Sequence, residues 1–234
     1  MYHRVWPNLQ DGLTVTPQAL RAQWEYLRNV GYECLGMEKF LAIMRAETPA
    51  PKKAFLLTFD DGYHNNLEHV LPLLEEFDWE ATVFVIAGTV DGSYALDADS
   101  GPARKMNADE LRRIAGKHVK LGLHGYRHEN FSETKLDAIE KAVRMSVEVL
   151  EKANLPFANV LAYPYGARPK DELELQVLKA WMSNFGIEAA FRIGNKPQAA
   201  PALDLYELKR IDIRGEDTLD DFKLKLRKGK LKPF

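Results

Sequence analysis

Asp60 and Asp61 stand side by side, with Gly62 behind them, at the end of the apolar run Ala54-Phe55-Leu56-Leu57-Thr58-Phe59. Two neighbouring carboxylates repel each other unless a cation or a proton intervenes. Further along, His124 and His128 are spaced four apart. On a helical turn that spacing puts both rings on one side. Two imidazoles and one carboxylate give three protein ligands and leave a position for water, as in catalytic rather than closed structural zinc sites. Neither feature decides alone. A His-x3-His pair is more often a surface pair, and Asp-Asp is more often an N-cap or a solvated turn. Together, at strand ends, they point to a metal. Adjacent residues on extended backbone point opposite ways. One carboxylate can therefore bind the ion while the other acts as general base on water. Non-haem iron oxygenases use the same two-His, one-carboxylate face; the second carboxylate favours hydrolysis.

Such residues need rigid elements to bring them together, and the chain reads as alternating strands and helices. Met1 to Trp6 is an expected first strand. Thr16-Pro17 opens a helix, with Thr as N-cap and Pro at the first helical position, and Gly31 ends it. Met37 to Met44 is a second helix. Residues 54–59 form a continuous apolar run, as expected of a strand buried on both faces. Leu67, Leu71, Leu74 and Phe77 mark a helix that Pro72 must kink or delay. Strands follow at Ala81 to Ile86, Val119 to Leu123, Asn159 to Tyr163, Ala189 to Ile193 and Leu208 to Ile213. Helices are expected from Asn107 through Ile114, from Ser132 to Ala153, from Leu173 to Phe185 before Gly186, and from Leu219 to Arg227. Asp91 to Lys105, polar and holding Gly92, Gly101 and Pro102, reads as a loop over the substrate end. This alternation implies a mostly parallel α/β sheet, open or closed into a barrel, with active residues at the carboxyl ends of its strands. Four strand ends carry candidates: His3, Asp60-Asp61, His124 with His128, and Tyr163-Pro164-Tyr165-Gly166.

Leu57-Thr58-Phe59-Asp60-Asp61-Gly62 and His124-x3-His128 resemble the first two motifs of the polysaccharide deacetylase family, carbohydrate esterase family four. Trp79-Glu80-Ala81-Thr82-Val83-Phe84-Val85 and Leu161-Ala162-Tyr163-Pro164-Tyr165-Gly166 match as well. The likeness runs from Met1 to about Leu226. It implies an irregular (β/α)7-type barrel, one catalytic domain over residues 1–234. It implies deacetylation of amino sugars or acylated glycans with a divalent metal: zinc first, with cobalt, nickel or iron open. Carried over by position, Asp60 is the base, and Asp61, His124 and His128 are the ligands. The Tyr165 N–H helps hold the oxyanion.

Two departures matter. Many members carry a late Leu-x-His whose His is the general acid, and here no His follows His128. Many also have an Arg before the Pro-Tyr turn, and here Ala162 stands in that place. Both changes resemble the Tyr-Pro-Tyr-Gly subgroup related to poly-N-acetylglucosamine deacetylases. There the resemblance assigns the acid to a Tyr-His near the amino terminus, matched by Tyr2-His3. His titrates near neutral pH, which suits a donor to the leaving amine. Arg210, on a late strand, is the candidate replacement for the missing Arg. Tyr94, Tyr126, Tyr163 and Pro164 are candidate substrate contacts, and Trp181 is a further aromatic that is as readily core. His64, His69 and His118 read as solvated or structural.

Composition bounds the rest. The chain has 234 residues, 46% hydrophobic, with formal net charge −2. That fits one sizeable core and gives no signature of a nucleic-acid partner. The single cysteine, Cys34, excludes an internal disulfide framework and reads as a small buried hydrophobe. No apolar stretch approaches the roughly 20 residues of a membrane helix. No hydrophobic leader stands at the start, so the expected location is cytoplasmic. The Lys/Arg-rich tail from Phe222 to Phe234 adds a candidate weak contact with an anionic membrane surface. In that setting a nucleotide- or lipid-linked acetylated amino sugar is the expected partner. An amidase or deformylase on another acyl group, and a barrel kept only for glycan binding, are the alternatives. A pure binder has no need of Asp60.

Overall fold

The computed structural model describes residues 1–95 and 101–229. Two short strands open the chain, β1 (Arg4–Val5) and β2 (Thr14–Val15), paired parallel. Seven more strands make one parallel sheet in chain order. They are β3 (Glu33–Leu35), β4 (Ala54–Phe59), β5 (Ala81–Val85), β6 (Val119–Leu123), β7 (Phe157–Ala162), β8 (Ala189–Ile193) and β9 (Leu208–Arg210). Helices run between them: α1 (Pro17–Asn29), α2 (Met37–Met44), α3 (Leu71–Phe77), α4 (Ala87–Val90), α5 (Ala108–Ile114), α6 (Leu136–Lys152), α7 (Glu172–Phe185) and, last, α8 (Leu219–Lys228). Right-handed crossovers from each strand to its sequence neighbour curl such a sheet like the staves of a barrel. The fold is α/β, a (β/α)7-type barrel.

The local signals act as expected in several places. Thr16 accepts from Ala19 N at the head of α1, and Gly186 closes α7 with left-handed backbone. Asn107 and Glu110 form a capping box on α5. Every residue of β5 is buried, which explains its unbroken apolar character. Pro72 is accommodated because the helix starts late: Asn66–Val70 is a single π-helical turn, and Pro72 sits in the first turn of α3.

Other boundaries move for local reasons. The helix expected from Ser132 begins only at Leu136. Asn130 Oδ1 accepts from both the backbone and the hydroxyl of Ser132, and the Thr134 hydroxyl donates to Asn130 O, so these side chains hold a turn instead. Strand β9 stops at Arg210 rather than Ile213, and the first strand shrinks to Arg4–Val5. Strands β2 and β3 and helix α4 are additions. The loop expected from Asp91 to Lys105 contains a 3-10 turn at Gly101–Ala103; its residues 96–100 lie outside the described part.

The edge strands β3 and β9 do not pair with each other. At the carboxyl end the first residues close this seam. Tyr2 N donates to Thr58 O and Asp60 N donates to Tyr2 O, both at 2.9 Å. Met1 N donates to Ile211 O at 2.9 Å, and Ile213 N to Met1 O at 3.1 Å. Residues 1–3 thus form a short extra stave between β4 and the segment after β9. Tyr2 stacks on Phe59 with centroids 5.3 Å apart, and its hydroxyl donates to Gln23 Oε1. That arrangement places His3 beside the aspartates.

Candidate active site

Asp60 and Asp61 leave the end of β4 in different backbone conformations. Asp61 has φ 72° and Gly62 φ 69°, so the chain turns sharply just past Asp60. The divergence of the two carboxylates therefore rests on a left-handed residue, not on the extended alternation expected from sequence. His124 and His128 leave the end of β6 without forming a helical turn, which corrects that expectation. Gly125 (φ 75°) and His128 (φ 57°) are both left-handed. The Glu129 carboxylate accepts from Tyr126 N and Arg127 N, each at 3.0 Å, and so fixes the loop. Tyr165, in the turn after β7, is left-handed too. Non-glycine residues held this way cost energy and persist where surrounding structure enforces them, often at functional sites.

Asp61 Oδ1 lies 3.3 Å from His124 Nε2 and 3.4 Å from His128 Nε2, and the two nitrogens are 3.2 Å apart. Two ligand atoms on one tetrahedral zinc stand about 3.3–3.4 Å apart, given metal–ligand bonds near 2.0–2.1 Å. Asp61 Oδ1 is buried and accepts no hydrogen bond. His124 Nδ1 is 2.8 Å from Ala162 O, which fixes the proton on Nδ1 and frees the Nε2 lone pair. The donor set fits a divalent ion, and among the described residues this is the one group of three such side chains that converges.

Asp60 is also buried, but its carboxylate is fully engaged. Arg210 grips it with two bonds, Nη1 to Oδ1 at 2.7 Å and Nη2 to Oδ2 at 2.8 Å. Burial alone would raise the Asp60 carboxyl; Arg210, with the His124 and His3 imidazoles, holds it below the usual carboxylate range. Asp61 is likewise held low against its burial by His124, His3 and His128. Burial pushes His128 down to about 4, helped by the neighbouring His124, whereas the two aspartates outweigh burial at His124 and raise it.

The remaining candidates divide. Arg210 stands where the sequence placed it, 6% exposed and on Asp60. His3 lies close enough to act on both aspartates, and its buried Nδ1 has no partner. The Tyr165 ring is 62% exposed and packs 4.3 Å from the His128 ring, at the mouth of the site. Pro164 is buried in the same turn, packed toward Gly125. Tyr163 does not face the site: it is fully buried, with its hydroxyl on Tyr206 O. The side chain after an inward-facing strand residue points to the helical layer, and Tyr163 follows that alternation. Tyr126 packs with Ala87 and Ala142, and its hydroxyl is 2.6 Å from Ser93 Oγ, so it anchors the loop after α4. Tyr94 belongs to that loop, its N–H on Gly88 O. Trp181 stacks on Phe185, away from the strand ends. His64 sits between Glu68 and Glu110, and His118 Nδ1 is 2.9 Å from Trp79 O. Cys34 is half-buried, and its thiol, pushed up to about 12 by burial, donates to Glu80 O.

Three contributors escaped the sequence reading. Tyr63 is 5% exposed beside Asp61, and Lys105, equally buried, holds its ammonium 3.6 Å from the Tyr63 ring centroid. Glu129 is the third. Tyr63 directly follows Asp-Asp-Gly, a signal that could have been read. Lys105 gives none, because it arrives through a bridge between distant segments.

The family model for polysaccharide deacetylase matches residues 47–181, more than half of the chain. The poly-β-1,6-N-acetyl-D-glucosamine N-deacetylase of Escherichia coli K12 is 35% identical over 92 residues, 37% of this chain and 14% of that protein. The chain thus spans a small part of that relative's length. The enzyme of the same name from Staphylococcus epidermidis is 24% identical over 210 residues, 87% of this chain and 69% of that one. Among solved structures, the Streptococcus pyogenes deacetylase PplD, in complex with acetate, superposes with TM-score 0.76 at 22% identity, covering 97% of this chain and 96% of that one. IcaB from Ammonifex degensii gives 0.77 at 20% identity, covering 96% and 94%. These two likenesses speak to the fold. With the barrel, the Asp-Asp-Gly turn and the paired histidines in place, the match over residues 47–181 establishes that this chain belongs to the polysaccharide deacetylase family.

Proposed function

We propose that the chain is a metal-dependent hydrolase that removes the acetyl group from the nitrogen of an N-acetylated amino sugar in a glycan or glycoconjugate. The observation that carries this reading is the orphaned, buried Asp61 Oδ1 between two imidazole Nε2 atoms, with an ionised second carboxylate alongside. Asp61, His124 and His128 would hold the ion. When bound, a divalent ion acts as Lewis acid and makes water nucleophilic near neutral pH. Asp60, kept anionic and aimed by Arg210, takes the proton from the attacking water. The Tyr165 N–H donates to the oxygen that gains charge as the acetamide carbon becomes tetrahedral. His3 gives the leaving amine its proton. The exposed Tyr165 ring offers a flat apolar face to a sugar. The names of the curated relatives make poly-β-1,6-N-acetyl-D-glucosamine the first substrate to try.

Acetate release tests the reading. The substrates are oligomers of that polymer, nucleotide-linked N-acetyl sugars and prenyl-linked N-acetyl sugars. Each is assayed as purified, after chelation, and after return of zinc, cobalt, nickel or iron. Acetate that vanishes with chelation and returns with metal is the expected result. His3→Ala should lower kcat by at least about 100-fold, the lower end for loss of a general acid. Protein loaded with one equivalent of metal that releases no acetate from any substrate would overturn the proposal.

A further inference from the structure

Below the point where Met1 and Tyr2 close the barrel, the seam between the β3–β4 edge and β9 stays open. A cavity of about 460 Å3 lies there. It does not reach Asp61, His124 or His128, but Tyr2, Thr58 and Arg210 line its upper end, so it adjoins the Asp60–Arg210 pair from behind. Its walls are mostly apolar, built from Leu35, Phe40, Phe55, Phe191, Phe222 and Leu226, with Thr58, Gln198 and Arg210 as the polar members. Its lips are cationic. Lys52 and Lys53 line it from the segment before β4, and Lys196 and Lys209 from the β8–β9 side. All four are exposed and, among the described residues, none is in an ion pair and no Asp or Glu lines the cavity; Lys53 Nζ donates to Val30 O at 2.8 Å, over the Tyr32 ring, and the other three carry the freer charges. Exposed cations without counterions, two on each lip of an apolar slot, ask for a ligand with an anionic head and an apolar body.

We infer that this seam is a binding site for a single-chain lipid with an anionic head, the chain lying between β4 and β9 and the head among Lys52, Lys53, Lys196 and Lys209. Size agrees. A methylene needs about the space of one water in the liquid, roughly 30 Å3, so the cavity is on the scale of one alkyl chain. The site does not depend on the deacetylase reading, and its test reads binding alone.

Dodecyl phosphate and dodecanoate are the probes, titrated into the full chain by calorimetry below their critical micelle concentrations. Dodecanol and dodecyltrimethylammonium are the controls. Saturable one-to-one binding of either anion, at least about tenfold tighter than both controls, is the expected result, and the two anions distinguish a phosphate from a carboxylate head. The exposed double variant Lys196→Glu/Lys209→Glu should weaken anion binding at least tenfold. Ala50→Trp, at the exposed mouth, should block both anions while leaving the thermal midpoint unchanged. Equal binding of dodecanol, binding that survives both variants, or no binding would overturn the inference. So would binding that appears only when the chain is cut after Gly229, which would make the final residues the occupant.

Discussion

Asp60 and Asp61 share a peptide bond yet face different surroundings. Asp60 has both oxygens on the Arg210 guanidinium; Asp61 sets Oδ1 within 3.4 Å of two imidazole Nε2 atoms, with the Tyr63 side chain beside it. Exchange of one for the other would thus break both roles. Asp60→Asn should lower acetate release by at least about 100-fold, the lower range for loss of a general base, while metal content measured by atomic absorption stays at the wild-type value. Arg210→Met should be costlier to the fold, about 3–5 kcal/mol by urea denaturation, because it leaves Asp60 buried without its partner. A variant at Arg210 with wild-type stability would show that the pair is incidental. The convergence of Asp60, Asp61, His124 and His128 was legible in the sequence because they stand at strand ends in two short motifs. Arg210 was legible only as a candidate for a vacancy at Ala162. Tyr163 was misjudged because a motif residue and a strand residue look alike in sequence; its side-chain direction is set by the pleat, and it lies in the core.

At the scale of elements, α5 and the loop before it hold one flank of the site. His64 N donates to Arg104 O and Met106 N to Gly62 O, so the 104–106 segment is laid along the turn that carries Asp61. Arg104 and the α5 cap converge on Glu110. Bonds from the Arg104 guanidinium hold its carboxyl down to about 2, against the burial that would raise it, with the Asn107 N–H and nearby His64 helping. A carboxyl depressed in the fold contributes stability above its unfolded value near 4.3 and loses that contribution as pH falls toward 2. Urea midpoints should therefore decline between pH 5 and pH 2.5, and Glu110→Gln should flatten that decline. The same slope in both proteins would remove Glu110 from the account. The alternation of strands and helices was readable because parallel strands buried on both faces are continuously apolar. Strands β2 and β3 and helix α4 were not, being two to four residues long and too short for any periodicity to register.

Over the whole molecule, the seam is the decisive feature. A barrel of seven staves that fails to close between β3 and β9 is completed at its catalytic end by Tyr2 and its neighbours. Tyr2→Ala should cost about 3–5 kcal/mol, as for other large aromatic side chains removed from a core, and should lower acetate release in the fraction that remains folded by displacing His3. Loss under 1 kcal/mol in urea denaturation would mean that the seam holds without this stave. The same closure governs the order in which the molecule can be finished. Met1 N meets Ile211 O across 210 positions of chain. Contacts of such separation form late, because the intervening loop must be closed before they return any energy. While the polypeptide emerges from the ribosome, the two motifs that gather Asp61, His124 and His128 can meet long before residue 211 is made. Arg210 and a seated His3 cannot. A nascent chain that stops short of residue 210 would then hold the Asp61, His124 and His128 cluster while Asp60 lacks its Arg210 partner and residues 1–3 lack the segment after β9 against which they seat.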